Sequence, residues 1–165
     1  MAKSKPATLH ATRNDLGANA RDVSVAVLNA TLADTMDLTN SVHMAHWTVR
    51  GTHFAGLHKL FEDFYNQLNV ITDDVAERVV QLGGTPDGTT QLVGEKTRLE
   101  PYPTDLRDGI EHVRALSTRY AALAKSAREG IDTTDDAGDA DTADLLTDLS
   151  RLLDKHLWML EAHLD

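Results

Sequence analysis

The sequence contains no cysteine, and this absence excludes several kinds of site at once. Disulfides, iron–sulfur clusters, zinc sites built on thiolates and cysteine nucleophiles all require a residue that the chain lacks. Long apolar runs are also missing, because no stretch approaches the roughly 18 uninterrupted apolar residues of a membrane span. The N-terminal residues carry charge without an apolar stretch behind it, unlike a signal peptide. We therefore expect a cytoplasmic protein without membrane association.

The charge balance is acidic. Aspartate and glutamate number 26 against 16 lysines and arginines, which gives a formal net charge of −10. Such a surface repels phosphate backbones, so binding of nucleic acid over the whole surface is disfavoured. The length of 165 residues and the hydrophobic share of 41% are typical of one globular domain with a substantial core.

Apolar residues recur at three- and four-residue steps along most of the chain, which is the spacing of amphipathic helices. The pattern predicts four long helices, over residues 21–50, 57–82, 105–129 and about 142–163. Thr104 is the predicted N-cap of the third helix and Gly130 its end, and residues 132–141 are predicted to form an acidic turn.

The connection between the second and third long helices covers about twenty residues and contains a predicted short helix over residues 90–96. It is long enough to cross a bundle from end to end. An all-α four-helix bundle with one such crossover has the ferritin-like topology. We expect a single bundle domain over residues 19–165, preceded by a flexible basic tail over residues 1–18.

The first two long helices carry side chains that suit iron, manganese or zinc. His58 and Glu62 are four residues apart and share a helix face, as do Asp73 and Glu77, and His46 lies shortly before them. Residues 58 and 73 are about 22 Å apart along a helix, so one ion cannot reach both pairs of a single chain. The pairs form two incomplete sites, or they meet across a two-fold interface between copies.

These pairs also have a simpler interpretation, because histidine and acid at four-residue spacing are common on a solvated helix face. A di-iron site inside the bundle is disfavoured, since no glutamate is followed three residues later by histidine. Zinc-protease, phosphate-loop and serine-hydrolase motifs are absent as well.

An ordered set of short motifs extends over nearly the whole chain and resembles the Dps family, the DNA-binding proteins from starved cells. Any one motif is weak, but the ordered combination is specific. The motifs are Thr12–Leu16 (TRNDL), Ala45–Gly51 (AHWTVRG), Phe54–Glu62 (FAGLHKLFE), Asp73–Arg78 (DDVAER), Gln81–Gly84 (QLGG), Tyr102–Pro103, Gly138–Leu145 (GDADTADL) and Asp154–Trp158 (DKHLW).

The resemblance implies a hollow homododecamer that stores iron and a ferroxidase centre shared by two subunits. His46, His58 and Glu62 would come from one subunit, and Asp73 and Glu77 from its two-fold partner. The centre would hold two iron positions per site. Glu62 stands where many members have aspartate. Its extra methylene group keeps the carboxylate but shifts its oxygens, which affects the second iron position.

The implied reaction is oxidation of Fe(II), preferably by hydrogen peroxide, to a ferric mineral kept inside the shell. Two ferrous ions held together can give two electrons to one peroxide, which avoids release of hydroxyl radical. The C-terminal part is rich in acids, which are typical of a solvated helix start. Alternatively, Asp139, Asp144 and Asp148 line three-fold pores that attract Fe(II).

The resemblance also raises the question of DNA binding. Lys3, Lys5 and Arg13 in the tail are the only basic side chains that suit it, and twelve tails could act together. Two other hypotheses remain at this point. The protein could be a nucleoid-compacting structural protein with incidental iron binding, or a passive metal-binding shell in which Glu62 spoils the second iron position.

Overall fold

A computed structural model describes residues 9–164, and five α-helices account for most of them. Their bounds are α1 Ala18–Thr48, α2 Phe54–Gln81, α3 Thr90–Lys96, α4 Gly109–Asp136 and α5 Ala140–Glu161. The long helices α1, α2, α4 and α5 form the bundle, in which α1 packs on α2 and α4, and α5 packs on α4 and α2. The short helix α3 lies within the crossover and packs on α1. The predicted all-α bundle with one long crossover is confirmed.

None of the helices formed by residues 9–164 combines the length and the hydrophobicity needed to cross a bilayer.

The prediction that Gly130 ends the third long helix was wrong. Helix α4 continues through Gly130 to Asp136, so most of the predicted acidic turn is helical. A Cβ atom on Gly130 would lie 3.0 Å from Val27 Cγ1 and 3.1 Å from Leu146 Cδ1. The glycine therefore serves the close packing of α4 against α1 and α5, not the termination of a helix.

The start of α4 also differs from the prediction. The cap is Asp108, not Thr104, and its Oδ1 accepts hydrogen bonds from the amides of Ile110 (2.9 Å) and Glu111 (3.2 Å). Asp108 satisfies two amides that the first turn of a helix leaves without a partner. Thr104 lies in the loop before this cap, where no helical turn has yet begun.

Two aspartates of α1 hold the crossover against the bundle. The buried Asp34 accepts hydrogen bonds from the Arg98 amide at 2.7 Å and the Arg98 Nε at 2.9 Å. Asp37, almost one turn later, accepts from the Thr97 hydroxyl at 2.7 Å and pairs with the buried Arg119 guanidinium at 2.8 Å. These bonds compensate the burial of Asp34 and fix where the crossover passes over α1.

The described part of the predicted tail, residues 9–17, contacts the bundle. Leu9 and Leu16 pack against the core, and the His10 amide donates a 2.7 Å hydrogen bond to the Gly83 carbonyl just after α2. Gly83 has a φ of +85°, and a Cβ there would lie 2.5 Å from the His10 carbonyl oxygen. Only glycine fits both the backbone conformation and the close approach.

We expect Gly83→Ala to lower the free energy of unfolding by about 1–3 kcal/mol, because it combines an unfavourable φ with a backbone contact. Gly94→Ala is the matched control. Gly94 lies inside α3, where an added Cβ would meet nothing within 4 Å, and alanine favours a helix interior. Denaturant unfolding compares the two, and equal effects would contradict the assigned role of Gly83.

A histidine and a tyrosine form a polar pair within the core. His156 of α5 and Tyr120 of α4 are both buried, and the His156 Nδ1 lies 3.2 Å from the Tyr120 hydroxyl oxygen. Phe64 stacks on the His156 ring with centroids 3.8 Å apart, and the His156 Nε2 is buried without a protein partner. Burial, with the charge of Lys155 as a smaller cause, lowers the pKa of His156 to about 4.

This lowered pKa predicts acid sensitivity. The unfolded chain binds a proton at His156 near pH 6.5, whereas the folded chain does so only near pH 4. The contribution of neutral His156 is therefore fully present above pH 6.5 and is lost as the pH falls toward 4, by about 3 kcal/mol. Between pH 7 and 4, the free energy of unfolding of His156→Gln should lack this part of the pH dependence. Identical slopes of that free energy against pH in the variant and in the unaltered protein would contradict the assignment.

Candidate metal centre

The corner between α1 and α2 brings two predicted ligands together. His46 lies in the last turn of α1 and His58 in the second turn of α2, and their rings stack with centroids 3.8 Å apart and planes at 20°. Gly51, with a φ of +97°, makes the turn between the helices. The Arg50 amide donates to the Arg107 carbonyl at 2.7 Å, which ties this corner to the start of α4.

Each of the two histidines donates to the backbone of the other. The His46 Nδ1 lies 2.9 Å from the His58 carbonyl oxygen, and the His58 Nδ1 lies 2.9 Å from the His46 carbonyl oxygen. A carbonyl only accepts, so both Nδ1 atoms carry the hydrogen. In the neutral rings both Nε2 atoms then keep their lone pairs free, which is how metal-binding histidines are commonly oriented.

Glu62 follows His58 by one turn and is exposed. Its Oε2 lies 2.9 Å from Lys59 Nζ, and the same ammonium lies 2.8 Å from Asp63 Oδ1. The hydrogen bond and charge of Lys59 hold the pKa of Glu62 below its usual value, so its carboxylate is ionised at neutral pH. Imidazole nitrogens and a carboxylate are ligand types that suit a first-row metal, and of these three residues the structure brings the two histidines into contact.

The other predicted pair is far from these ligands. Asp73 and Glu77 are exposed on α2, fifteen residues beyond His58 at the nearer end, or about 22 Å along the helix. Among residues 9–164, no group of three or more histidine and carboxylate side chains comes close enough together to hold a metal ion. The five predicted ligands therefore do not form one site within a single chain.

Aromatic side chains surround the histidine pair. His43, one turn before His46, stacks on Tyr65 with ring centroids 3.9 Å apart and lies 4.0 Å from the ring of Trp47. Trp47 itself is 65% exposed. Partial burial, with the neighbouring His46 as a smaller cause, lowers the pKa of His43. His43 is therefore a packing residue beside the site, and Trp47 leaves a large apolar surface next to it.

The three predicted pore aspartates have different environments. Asp139 is 1% exposed and caps α5 through the Thr142 amide, and its carboxylate pairs with Arg78 of α2 at 2.8 Å. Its carboxylate oxygens therefore make contacts within the bundle and are not free to line a pore. Asp144 and Asp148 are exposed one turn apart on α5, and Asp148 pairs with Arg151.

Of the predicted DNA-binding residues, Lys3 and Lys5 lie outside the described residues. Arg13 is described and exposed.

The sequence did not reveal the roles of two charged side chains of α2. Lys59 bridges Glu62 and Asp63, and Arg78 pairs with the buried Asp139. The spacing of three and four residues after Lys59 already indicates its two partners. Nothing in the sequence indicates the partner of Arg78, because Asp139 lies 61 positions later in the chain.

Comparison with known proteins places this arrangement in a class. A family model described as a ferritin-like domain matches residues 25–165, so the chain is a ferritin-like protein. The DNA protection during starvation protein of Agrobacterium fabrum is 46% identical over 154 residues, which cover 93% of this chain and 95% of that protein. The chain belongs to the family of DNA protection during starvation proteins, Dps, as its motifs predicted.

Solved structures agree. DpsC from Streptomyces coelicolor superposes with a TM-score of 0.93 at 27% identity, covering 100% of this chain and 96% of that one. A Dps protein from Bacillus brevis superposes with a TM-score of 0.85 at 31% identity, covering 91% of this chain and 100% of that one.

Proposed function

We propose that this chain is the subunit of a hollow dodecameric shell that oxidises Fe(II), stores the ferric product and thereby protects DNA. The observation that carries the proposal is the division of the ligands. His46 and His58 present free Nε2 atoms at one end of α2, whereas Asp73 and Glu77 lie about 22 Å away. Two antiparallel copies of α2 would place each half beside the complementary half of the other copy.

The exposed face of α2 supports such pairing. Five residues of α2 lie within about 80° of one another around the helix axis, at 3.6 residues per turn: Glu62, Val70, Asp73, Glu77 and Val80. The two valines are 66% and 57% exposed, which is unusual beside carboxylates on a solvated face. A two-fold interface on this stripe would bury the valines and complete two equivalent sites.

The ligand chemistry suits iron as a substrate. Imidazole nitrogens hold Fe(II), and carboxylates stabilise Fe(III) as hard oxygen ligands. Two Fe(II) ions and two protons reduce one hydrogen peroxide to two water molecules, and each iron loses one electron. Because both electrons reach the peroxide at one centre, no hydroxyl radical is released. The proposal therefore includes two iron positions per site and a preference for peroxide.

Entry of Fe(II) would use the acidic surface of α5. Asp144 and Asp148 are exposed, Arg151 pairs with Asp148, and the net negative charge of the protein would concentrate cations at this surface. Asp139 takes a different part in this proposal, because its buried pair with Arg78 positions the start of α5.

A mixing experiment tests the shared centre. We expect His46→Ala and Asp73→Ala each to abolish peroxide-driven oxidation, which in the unaltered protein consumes about two Fe(II) per peroxide. When the two variants are unfolded and reassembled together, half of the two-fold pairs are mixed. Each mixed pair contains one intact site, so about a quarter of the activity should return.

Ferric absorbance and consumed peroxide are recorded together after anaerobic loading with Fe(II). The separately reassembled variants are the control. A site formed within one chain would give no recovery, and unaltered protein that oxidises iron no faster than buffer would refute the ferroxidase.

DNA binding is a second proposed activity, favoured by the name of the relative from Agrobacterium fabrum. Lys3, Lys5 and Arg13 would supply it in twelve copies. The acidic body of the shell opposes it, so binding should weaken steeply with salt. Association with a cytoplasmic nucleoid stays a prediction.

We expect Lys3→Gln combined with Lys5→Gln to abolish retardation of DNA in a low-salt gel, and to leave iron oxidation unchanged. These substitutions keep the contact between His10 and Gly83. Lys125→Gln together with Lys155→Gln is the control, because it removes the same charge from exposed positions on the bundle. Equal retardation by both double variants would show that only net charge matters.

A further inference from the structure

Lys59 places a positive charge on a proposed iron ligand. Its Nζ lies 2.9 Å from Glu62 Oε2 and 2.8 Å from Asp63 Oδ1, and the three side chains are between 47% and 64% exposed. We infer that Lys59 is a resident cation that competes with Fe(II) for Glu62, and that Asp63 is the second anchor on which Lys59 remains when the metal binds. The inference rests on the proposed metal centre.

The competition follows from position. Glu62 lies four residues after His58 on the same helix face, so its carboxylate is the acid of α2 best placed to join the histidine nitrogens. Lys59 occupies one oxygen of that carboxylate. A divalent ion on the same group would face the ammonium across a few ångströms, and like charges at that distance repel even in water. Entry of the metal therefore requires Lys59 to move away from Glu62.

The contact with Asp63 lowers the free-energy cost of moving Lys59 away from Glu62. Lys59 already contacts Asp63 at 2.8 Å, at the favourable spacing of four residues, so leaving Glu62 does not leave the ammonium without a partner. The pair thus behaves as a switch between two carboxylates. Without Asp63, Lys59 would remain on Glu62 alone and oppose the metal more strongly. Lys59 and Asp63 together set the metal concentration at which the centre fills.

Anaerobic titration of the assembled protein with Co(II), a divalent ion that does not react with the centre as Fe(II) does, measures this effect directly. Lys59→Met keeps the length of the side chain and removes the charge. We expect it to lower the apparent Kd for Co(II) about three- to tenfold. The gain should shrink as sodium chloride is raised, because salt screens exposed charges. Asp63→Asn should raise the Kd, and by a smaller factor in the Lys59→Met background.

Lys125→Met is the matched control. Lys125 is exposed on α4 and pairs with Glu129 four residues later, so its loss removes a surface ion pair distant in sequence from the centre. We expect an unchanged Kd for Co(II) in this variant. Thermal unfolding of both methionine variants separates an effect on stability from an effect on the metal.

Two results would overturn the inference, and they are distinguishable. If Lys59→Met leaves the Kd unchanged or raises it, while His46→Ala weakens binding, the metal centre stands and Lys59 is only a surface ion pair. If His46→Ala binds Co(II) as tightly as the unaltered protein does, the proposed centre itself is wrong, and the role of Lys59 fails with it.

Discussion

The fixed rise of the α-helix is the constraint on which the proposed chemistry depends. Helix α2 carries His58 and Glu62 near its start and Asp73 and Glu77 near its end, and 1.5 Å per residue keeps the two groups about 22 Å apart. Nothing in the bundle shortens that distance, because α2 is one unbroken helix. A centre that uses all five ligands therefore requires a second chain, so assembly would be a condition of the proposed activity.

The corner between α1 and α2 orients the two histidine rings, which the spacing of residues along α2 does not do. The reciprocal bonds of His46 and His58 use backbone carbonyls, so the orientation of both rings depends on the position of one helix end against the next helix. Gly51 makes the left-handed turn of that corner, and the Arg50 amide ties the corner to the Arg107 carbonyl just before α4. The contacts that hold this corner of the bundle therefore also orient the Nε2 atoms for metal binding.

The acidic side chains divide into two groups with different tasks. Asp34, Asp37 and Asp139 pair with arginines from distant parts of the chain and hold the crossover and the start of α5 in place. Asp144 and Asp148 are exposed on α5, and Asp148 pairs there with Arg151, three residues later on the same helix. A net charge alone does not separate these groups, since buried and exposed carboxylates count equally in it.

The sequence by itself determined the order of the helices, the crossover, the family and the histidine–carboxylate pairs, because periodicity and motif spacing are local properties. It even predicted the bounds of α3. Only the tertiary structure decided the role of Gly130, which packs against Val27 and Leu146, and of Asp139, which pairs with Arg78. Gly130 carries the local signal of a helix end and Asp139 that of an acidic turn, but the residues that each contacts lie far away in the chain. Close packing and burial, which depend on three-dimensional neighbours, override those local signals.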